Sequence, residues 1–258
     1  MCSIKKVESK LFDVYDLDWD TQYFGLSSAK AILKSNIPKK ERTTLKRYLD
    51  KFQFVTILNE DNNAYNNVWI GEETQAFLCD LNVQFMKDVG KIPSFTPIET
   101  CEIFEAYPYN EQITEIAKSA FSYSRFFNDP NLSKRKAYNI YAHWVESAFD
   151  KNGKYFVVFN KGKSVGGFLL FSINEKSKDS VIELIAVNEA SRGLKIGKVL
   201  LQTLEQYLCR KGIEKIKVGT QVNNISAINF YAHNNFNYES CNSVYHYWPK
   251  IDNPYEGI

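Results

Sequence analysis

Residues 181–204, VIELIAVNEASRGLKIGKVLLQTL, decide the fold class of this 258-residue chain. The apolar run at residues 181–187 predicts a buried strand, and the apolar residues after position 195 recur at helical spacing. Between them lies a polar turn that contains Arg192, Gly193 and Gly197. Because a strand that leads through a glycine-containing turn into a helix is typical of α/β proteins, we predict a mixed α/β sheet flanked by helices.

The same turn predicts an anion-binding site. Glycine lets the backbone bend and approach a ligand closely, and the first turn of a helix offers free N–H groups at the positive end of its dipole. These groups suit a pyrophosphate, and Arg192 and Lys198 add positive charge. The spacing fits neither the Walker A loop nor the Rossmann loop. The simpler alternative is a plain turn in which glycine serves only the bend.

A second segment downstream, NISAINFY at residues 224–231, predicts a helix with a specific face. Asn224, Ala227 and Tyr231 are spaced i, i+3 and i+7, so they lie on one side of it. The two segments together resemble the GNAT superfamily of N-acetyltransferases, whose loop reads [QR]xxGx[GA] and whose later helix reads NxxAxxxY. Arg192 and Gly197 match the loop, whereas Lys195 stands where glycine is usual, and we expect it to keep helical backbone angles.

The resemblance implies a GNAT-type mixed sheet and acetyl-CoA as the cofactor. In that superfamily the strand before the loop splays from its neighbour, and its exposed backbone pairs with the pantetheine amides like an added strand. The cofactor-binding residues implied here are Ile185, Ala186, Val187, Arg192, Gly193, Lys195, Ile196, Gly197, Lys198, Asn224 and Ala227.

The chemistry implied is direct transfer, in which a neutral amine attacks the acetyl carbonyl. A backbone N–H of the splayed strand can stabilise the oxyanion, and Tyr231 is the candidate acid that protonates the departing thiolate. Glu183, on the same strand, is the candidate base. Two alternatives stay open for it: a surface or ion-paired glutamate, and proton loss through a chain of water molecules.

Two further segments bear on the acceptor amine: WDTQYFG at residues 19–25 and SRFFNDP at residues 124–130. With the helix that carries Tyr141 and Trp144, they resemble the dTDP-fucosamine N-acetyltransferase family, which acetylates the 4-amino group of a nucleotide-linked 4-amino-4,6-dideoxyhexose for surface-glycan synthesis. Arginine suits a phosphate, and aromatic rings suit a base or a deoxyhexose face. The substrate-binding residues implied are Trp19, Tyr23, Phe24, Ser124, Arg125, Phe126, Asp129, Tyr141 and Trp144.

Simpler interpretations of these residues and of the whole chain remain. Arg125 could anchor its loop through a salt bridge to Asp129. Trp19 and Phe24 could simply pack the N-terminal segment, and Asp20 could serve only to form a turn. The chain could instead acetylate peptides or other small amines, although an extension of about 90 residues argues against an open peptide groove. It could also be a catalytically silent GNAT-like binding domain.

The order of predicted elements divides the chain. Residues 1–95 are expected to form a smaller α/β domain that contributes to the sugar-nucleotide site, and residues 96–258 the acetyltransferase domain, with residues 89–97 as the linker. In the first part we predict a loop at residues 17–24 and a strand at residues 68–70. Two strands near Tyr238 and Tyr245 should close the chain. No internal repeat is apparent.

Composition excludes several classes. A net charge of +2 with 24% charged residues argues against nucleic-acid binding. Three scattered histidines predict no metal site, and five cysteines without a CxxC pair indicate reduced thiols. We expect a cytoplasmic protein, because neither a signal peptide nor a membrane-spanning run is apparent. Members of the resembled family are often dimers, so a homodimer is consistent with the resemblance.

Overall fold

The computed structural model describes residues 6–90, 101–121 and 123–251. These residues form one mixed eleven-stranded sheet in the order β1-β2-β3-β4-β11-β5-β10-β9-β8-β7-β6. The strands are β1 (Lys6–Glu8), β2 (Phe12–Asp16), β3 (Ser28–Leu33), β4 (Phe54–Asn59), β5 (Phe77–Asp88), β6 (Cys101–Glu105), β7 (Tyr155–Lys161), β8 (Ser164–Asn174), β9 (Asp179–Val187), β10 (Lys215–Gln221) and β11 (Asn237–Tyr247). The helices are α1 (Asp18–Phe24), α2 (Lys39–Leu49), α3 (Ala64–Glu73), α4 (Glu111–Ala120), α5 (Lys134–Glu146), α6 (Ile196–Arg210) and α7 (Ile225–His233).

Helices cover both faces of the C-terminal part of the sheet. On one face α4 and α5 pack on alternate residues of β7, β8 and β9, such as Phe156 and Leu184. On the other face α6 and α7 pack on the intervening residues, such as Val157 and Leu169. Because β8 and β9 are covered on both sides, they read as continuous apolar runs. The mixed α/β sheet predicted from residues 181–204 is confirmed.

The described chain carries the same sequence of elements twice. In β3-α2-β4-α3-β5 and again in β9-α6-β10-α7-β11, two parallel strands flank a helix, and a second helix leads to a last strand. Each last strand crosses into the other half, since β11 lies between β4 and β5 while β5 lies between β11 and β10. This repeat of structure was not apparent from the amino-acid sequence.

Three local predictions are wrong. Within the predicted loop at residues 17–24, residues 18–24 form helix α1, which ends where Gly25 adopts a left-handed φ of +74° and donates its N–H to the Thr21 carbonyl as a helix cap. Residues 68–70 lie within α3, since the side chain of Asn63 caps that helix and three apolar residues are too few to distinguish a strand. The two closing strands are one strand, β11, with irregular pairing near Tyr238.

The predicted linker and domain boundary fall in a part of the chain that is only partly described. Val89 donates its N–H to the Glu214 carbonyl 2.8 Å away, directly after β5. Residues 91–100, which contain the expected boundary at residue 95, lie outside the described residues. The division into residues 1–95 and 96–258 stays a prediction, but β5 of the first part pairs with β10 and β11 of the second.

Candidate active site

Strands β9 and β10 separate halfway along their length. Their parallel pairing runs from Asp179 to Ile182 and ends there, whereas β9 continues to Val187 paired only with β8. The backbone of β9 beyond Ile182 therefore has an unpaired edge that faces the gap. The equivalent pair in the N-terminal half, β3 and β4, stays paired along both strands, so only the C-terminal half opens in this way.

The corner between β9 and α6 lies at the mouth of this gap. Lys195 precedes the helix with a left-handed φ of +59° and ψ of +17°, so the expectation of ordinary helical angles there is wrong. That conformation explains why glycine suits the position, since it has no Cβ to strain. Gly193 is also left-handed, with a φ of +81°, and Arg192 is exposed beside Glu189. Helix α6 begins directly after this corner, and the first N–H groups of a helix have no acceptor one turn earlier within it.

A cavity of about 450 Å³ occupies the gap and is called the cofactor cavity here. Gly197 borders it and packs tightly, because a Cβ there would lie 3.1 Å from the Phe230 ring. Ile196 is instead buried beneath the corner, and Gly193, Lys195 and Lys198 lie outside the lining. The predicted residues that border the cavity are Ile185, Ala186, Val187, Arg192, Gly197, Asn224 and Ala227.

A second cavity of about 450 Å³, called the acceptor cavity, lies on the other side of the gap. The two cavities share five lining residues, Phe121, Ile185, Asn224, Ala227 and Tyr231. Asn224 caps α7 by accepting from the Ala227 N–H at 3.1 Å, which orients the shared face of this helix. A group that passes from one cavity to the other therefore passes these residues.

Tyr231 stands at this junction. Its side chain is 4% exposed, and its ring contacts Phe85, Phe230 and Phe236 at centroid distances of 5.4–5.8 Å. Burial raises the pKa of its phenol, so the hydroxyl stays protonated at neutral pH and can donate a proton. The packed rings fix its position at the boundary of both cavities.

Glu183 borders the acceptor cavity, and its position follows from an irregularity in β9. The pairing with β8 shifts between Leu184 and Ile182, so the extra residue Glu183 is turned toward α5. Its carboxylate forms a short ion pair with Lys154 and accepts from the Trp144 indole N–H at 3.3 Å. The predicted carboxylate thus lies in the site, but it is ion-paired.

The N-terminal half supplies part of the acceptor cavity through residues that sequence reasoning missed. Lys30 on β3 and Asn82 and Gln84 on β5 line it, together with Thr220 and Gln221 of β10. The signal was present in the sequence, since Lys30 interrupts a strand of small and apolar residues and Asn82 and Gln84 alternate along β5. Nothing local indicated which site these strands would face.

The predicted substrate residues divide into two groups. Arg125, Phe126, Tyr141 and Trp144 line the acceptor cavity. Tyr23, Phe24 and Ser124 do not line it. Tyr23 stacks on His143 at 4.5 Å and donates to the Lys136 carbonyl. Phe24 is buried in an aromatic cluster, and the Ser124 hydroxyl accepts from the Phe126 N–H. Trp19 lines a separate cavity beside Arg125.

Asp129 belongs to the core rather than to either cavity. Its carboxylate lies 2.6 Å from His246 Nδ1 and accepts from the Trp248 indole N–H at 3.1 Å, with all three side chains buried. The considered salt bridge from Arg125 to Asp129 is not formed. These bonds tie the loop that carries Arg125 to β11.

Two cations without ion pairs face the acceptor cavity. Among the described residues neither Lys30 nor Arg125 has a salt-bridge partner, and the Arg125 Nε is buried with no acceptor. Burial, and then the charge of Arg125, lower the pKa of Lys30, while Asp20 acts to raise it. Burial raises the pKa of Asp20, although Arg125 opposes the shift.

Asp80 is expected to make the protein less stable as pH rises. Burial raises the pKa of Asp80 to about 6, against the lowering effect of Arg125. A carboxyl whose folded pKa is raised stabilises the fold below its unfolded pKa, and this contribution is lost as pH rises through about 6. Asp80→Asn should therefore raise the melting temperature at about pH 7.5 but not at about pH 4. An equal gain at both pH values in thermal unfolding would contradict this assignment.

Other kinds of site are not found in the described part of the chain. Residues 6–90, 101–121 and 123–251 contain no group of three or more metal-binding side chains. Within the same ranges, no helix has the length and apolar character needed to span a bilayer.

Comparison with solved structures shows the fold. A protein of unknown function from Staphylococcus epidermidis aligns with a TM-score of 0.63 at 12% identity, covering 96% of this chain and 95% of that one. A GCN5-related N-acetyltransferase from Sphaerobacter thermophilus aligns with a TM-score of 0.60 at 11% identity, covering 94% of this chain and 79% of that one.

Comparison of sequences shows a family likeness in the C-terminal part of the chain. The spore coat polysaccharide biosynthesis protein SpsD of Bacillus subtilis is 29% identical over 139 residues, which is 54% of this chain and 47% of that protein, so the match spans about half of its length. The family model for the Acetyltransferase (GNAT) family matches residues 111–236, which include the corner, Glu183 and Tyr231. Residues 111–236 are therefore similar to the GNAT acetyltransferase family, whose members use acetyl-CoA.

Proposed function

We propose that this protein transfers the acetyl group of acetyl-CoA to the amine of a nucleotide-linked amino sugar, a dTDP-linked 4-amino-4,6-dideoxyhexose, for surface-glycan synthesis. The observation that carries the proposal is the charge of the acceptor cavity. Its unpaired cations, Lys30 and Arg125, favour an acceptor that carries negative charge away from its amine. A sugar nucleotide has an uncharged ring, one amine and a diphosphate.

The same charges argue against the other acceptors. A lysine-rich peptide or a polyamine would bring further positive charge next to Lys30 and Arg125, at a cost that grows with burial. The extension contributes Lys30, Asn82 and Gln84 to the lining of the acceptor cavity, which supports a role for it in binding the acceptor. The polysaccharide biosynthesis named for the Bacillus subtilis relative also supports a glycan precursor.

The residues present fit acetyl-CoA. The helix N-terminus at the α6 corner suits its pyrophosphate, and the unpaired edge of β9 can pair with an amide chain that enters the gap. Arg192 and Gly197 border the cavity that would hold this chain. When bound, acetyl-CoA supplies the activated acetyl group.

The protein's own groups then have distinct tasks. A backbone N–H on the unpaired part of β9 donates to the carbonyl oxygen and stabilises the negative charge that develops there. Tyr231, at the junction of the cavities, gives its proton to the departing sulfur. Glu183 accepts a proton from the amine, directly or through water, with Lys154 holding the carboxylate in place.

A panel of acceptors tests the proposal. We expect thiol release from acetyl-CoA with dTDP-4-amino-4,6-dideoxyhexoses and little with peptide amines or polyamines, with dTDP-sugars that lack an amine as the control. The diphosphate is remote from the reacting amine. An amino sugar that lacks the diphosphate should therefore react with a lower kcat/KM but still turn over. Thiol release with peptide amines alone would contradict the proposal. If none of the tested amines gives thiol release, a catalytically silent binding domain would be favoured.

A further inference from the structure

We propose that a third cavity, beside the acceptor cavity, binds the nucleoside diphosphate part of the acceptor. This nucleotide cavity has a volume of about 310 Å³ and lies between α1, α5 and the loop before α5. The inference rests on the proposed function, and it assigns a place to the half of the acceptor that the acceptor cavity leaves unassigned. Its lining includes the aromatic and cationic side chains of Trp19, Arg125, Trp144, Lys151 and Lys154.

The two cavities adjoin. Arg125, Phe126, Ile140 and Trp144 line both, so one ligand can extend from the junction at Tyr231 into the nucleotide cavity. A hexose alone needs only the first of these spaces. The continuity therefore suits an acceptor that is longer than one sugar ring, with its amine at the Tyr231 end.

Charge makes the nucleotide cavity a site for an anion. Arg125, Lys151 and Lys154 line it, against one acidic side chain, Asp20. Lys154 is neutralised by Glu183, but Lys151 is exposed and Arg125 has no ion pair among the described residues. The planar guanidinium of arginine matches two phosphate oxygens at once. Arg125 stands where the two cavities meet, which is where a diphosphate between a sugar and a nucleoside would lie.

Two indole rings suit the base. Trp19 and Trp144 line the nucleotide cavity, and Trp19 is held by stacking on Tyr23 at 5.4 Å with an angle of 16° between the rings. Ordered aromatic rings bind planar ligands at a low cost in side-chain entropy. A cavity with both cations and aromatic rings suits a nucleoside diphosphate, which carries phosphates and a planar base. A free sugar carries neither group.

Binding measurements without the amino sugar test this inference. Calorimetry on the full chain with CoA present would use dTDP, thymidine and inorganic pyrophosphate as probes. We expect dTDP to bind at least about tenfold more tightly than either fragment. Lys151→Glu should weaken dTDP binding about tenfold, and Trp19→Leu should weaken dTDP binding without changing the affinity for pyrophosphate. Lys163→Glu, an exposed lysine on the turn before β8, is the matched control.

The outcomes separate this inference from the proposed function. Equal affinity for dTDP and pyrophosphate would overturn the nucleoside part, and dTDP binding that is unchanged in both Lys151→Glu and Trp19→Leu would overturn the site. If the variants lose dTDP binding but no amino sugar is acetylated, the proposed function fails and the nucleotide cavity stands. Since Lys151 is exposed, Lys151→Glu is expected to fold normally even if Trp19→Leu does not.

Discussion

Tyr231→Phe is expected to lower kcat about 100-fold, which corresponds to about 2.7 kcal/mol of transition-state stabilisation. The phenol borders both cavities, and burial keeps it protonated, so its removal deletes a proton donor used only in the transition state. The KM for acetyl-CoA should change less than about threefold, because the ring and its contacts remain.

The fold of this variant should be unaffected, since phenylalanine keeps the packing on Phe85, Phe230 and Phe236. Tyr207→Phe is the matched control, because Tyr207 lies in α6 against Tyr155 and Phe171 and borders neither cavity. Steady-state kinetics of both variants decide the matter. If Tyr231→Phe keeps the wild-type kcat, the acid lies elsewhere.

Asp129→Ala is expected to lower the free energy of unfolding by about 3–5 kcal/mol. The change would leave His246 Nδ1 and the Trp248 indole N–H without their acceptor in a fully buried place, and each lost partner is costly there. The backbone N–H of Asn131 would also lose its acceptor, at 2.8 Å. Urea unfolding followed by tryptophan fluorescence measures the effect.

Two further variants sharpen this measurement. Asp129→Asn keeps the shape and one acceptor oxygen, so its loss should be smaller than that of alanine. Asp88→Ala, at the exposed end of β5, should change the free energy of unfolding by less than about 0.5 kcal/mol. If Asp129→Ala unfolds like the wild type but raises the acceptor KM, Asp129 binds substrate as the sequence resemblance implied.

Several residues that border the cofactor cavity could be predicted from the amino-acid sequence because they lie close together in it. Arg192 and Gly197 lie on one turn and Asn224, Ala227 and Tyr231 on one helix face, so spacing alone relates them. The prediction of a loop at residues 17–24 is wrong because Gly25, which is compatible with a loop, caps a helix here. A short stretch of polar and aromatic residues is compatible with a loop and with a helix, and only the backbone hydrogen bonds of the structure distinguish the two.

The acceptor side could not be obtained in this way, because its parts are distant in the sequence. Asp129 was grouped with Arg125 by proximity in the chain, yet it pairs with His246, 117 residues away. Lys30 reaches the acceptor cavity because β11 and β5 cross between the two halves of the sheet. Strand order and register are set by burial of whole faces, which no short motif records.

The corner at residues 192–197 shows the division most clearly. By itself the sequence determined that a buried strand turns through glycine into a helix and presents free N–H groups to an anion, because those properties belong to neighbouring residues. Only the tertiary structure decided that β9 separates from β10 beyond Ile182, while β3 and β4 stay paired, and that the opening meets a cavity lined from the N-terminal half. The physical reason is that a backbone edge is open or closed according to a strand that lies elsewhere in the chain.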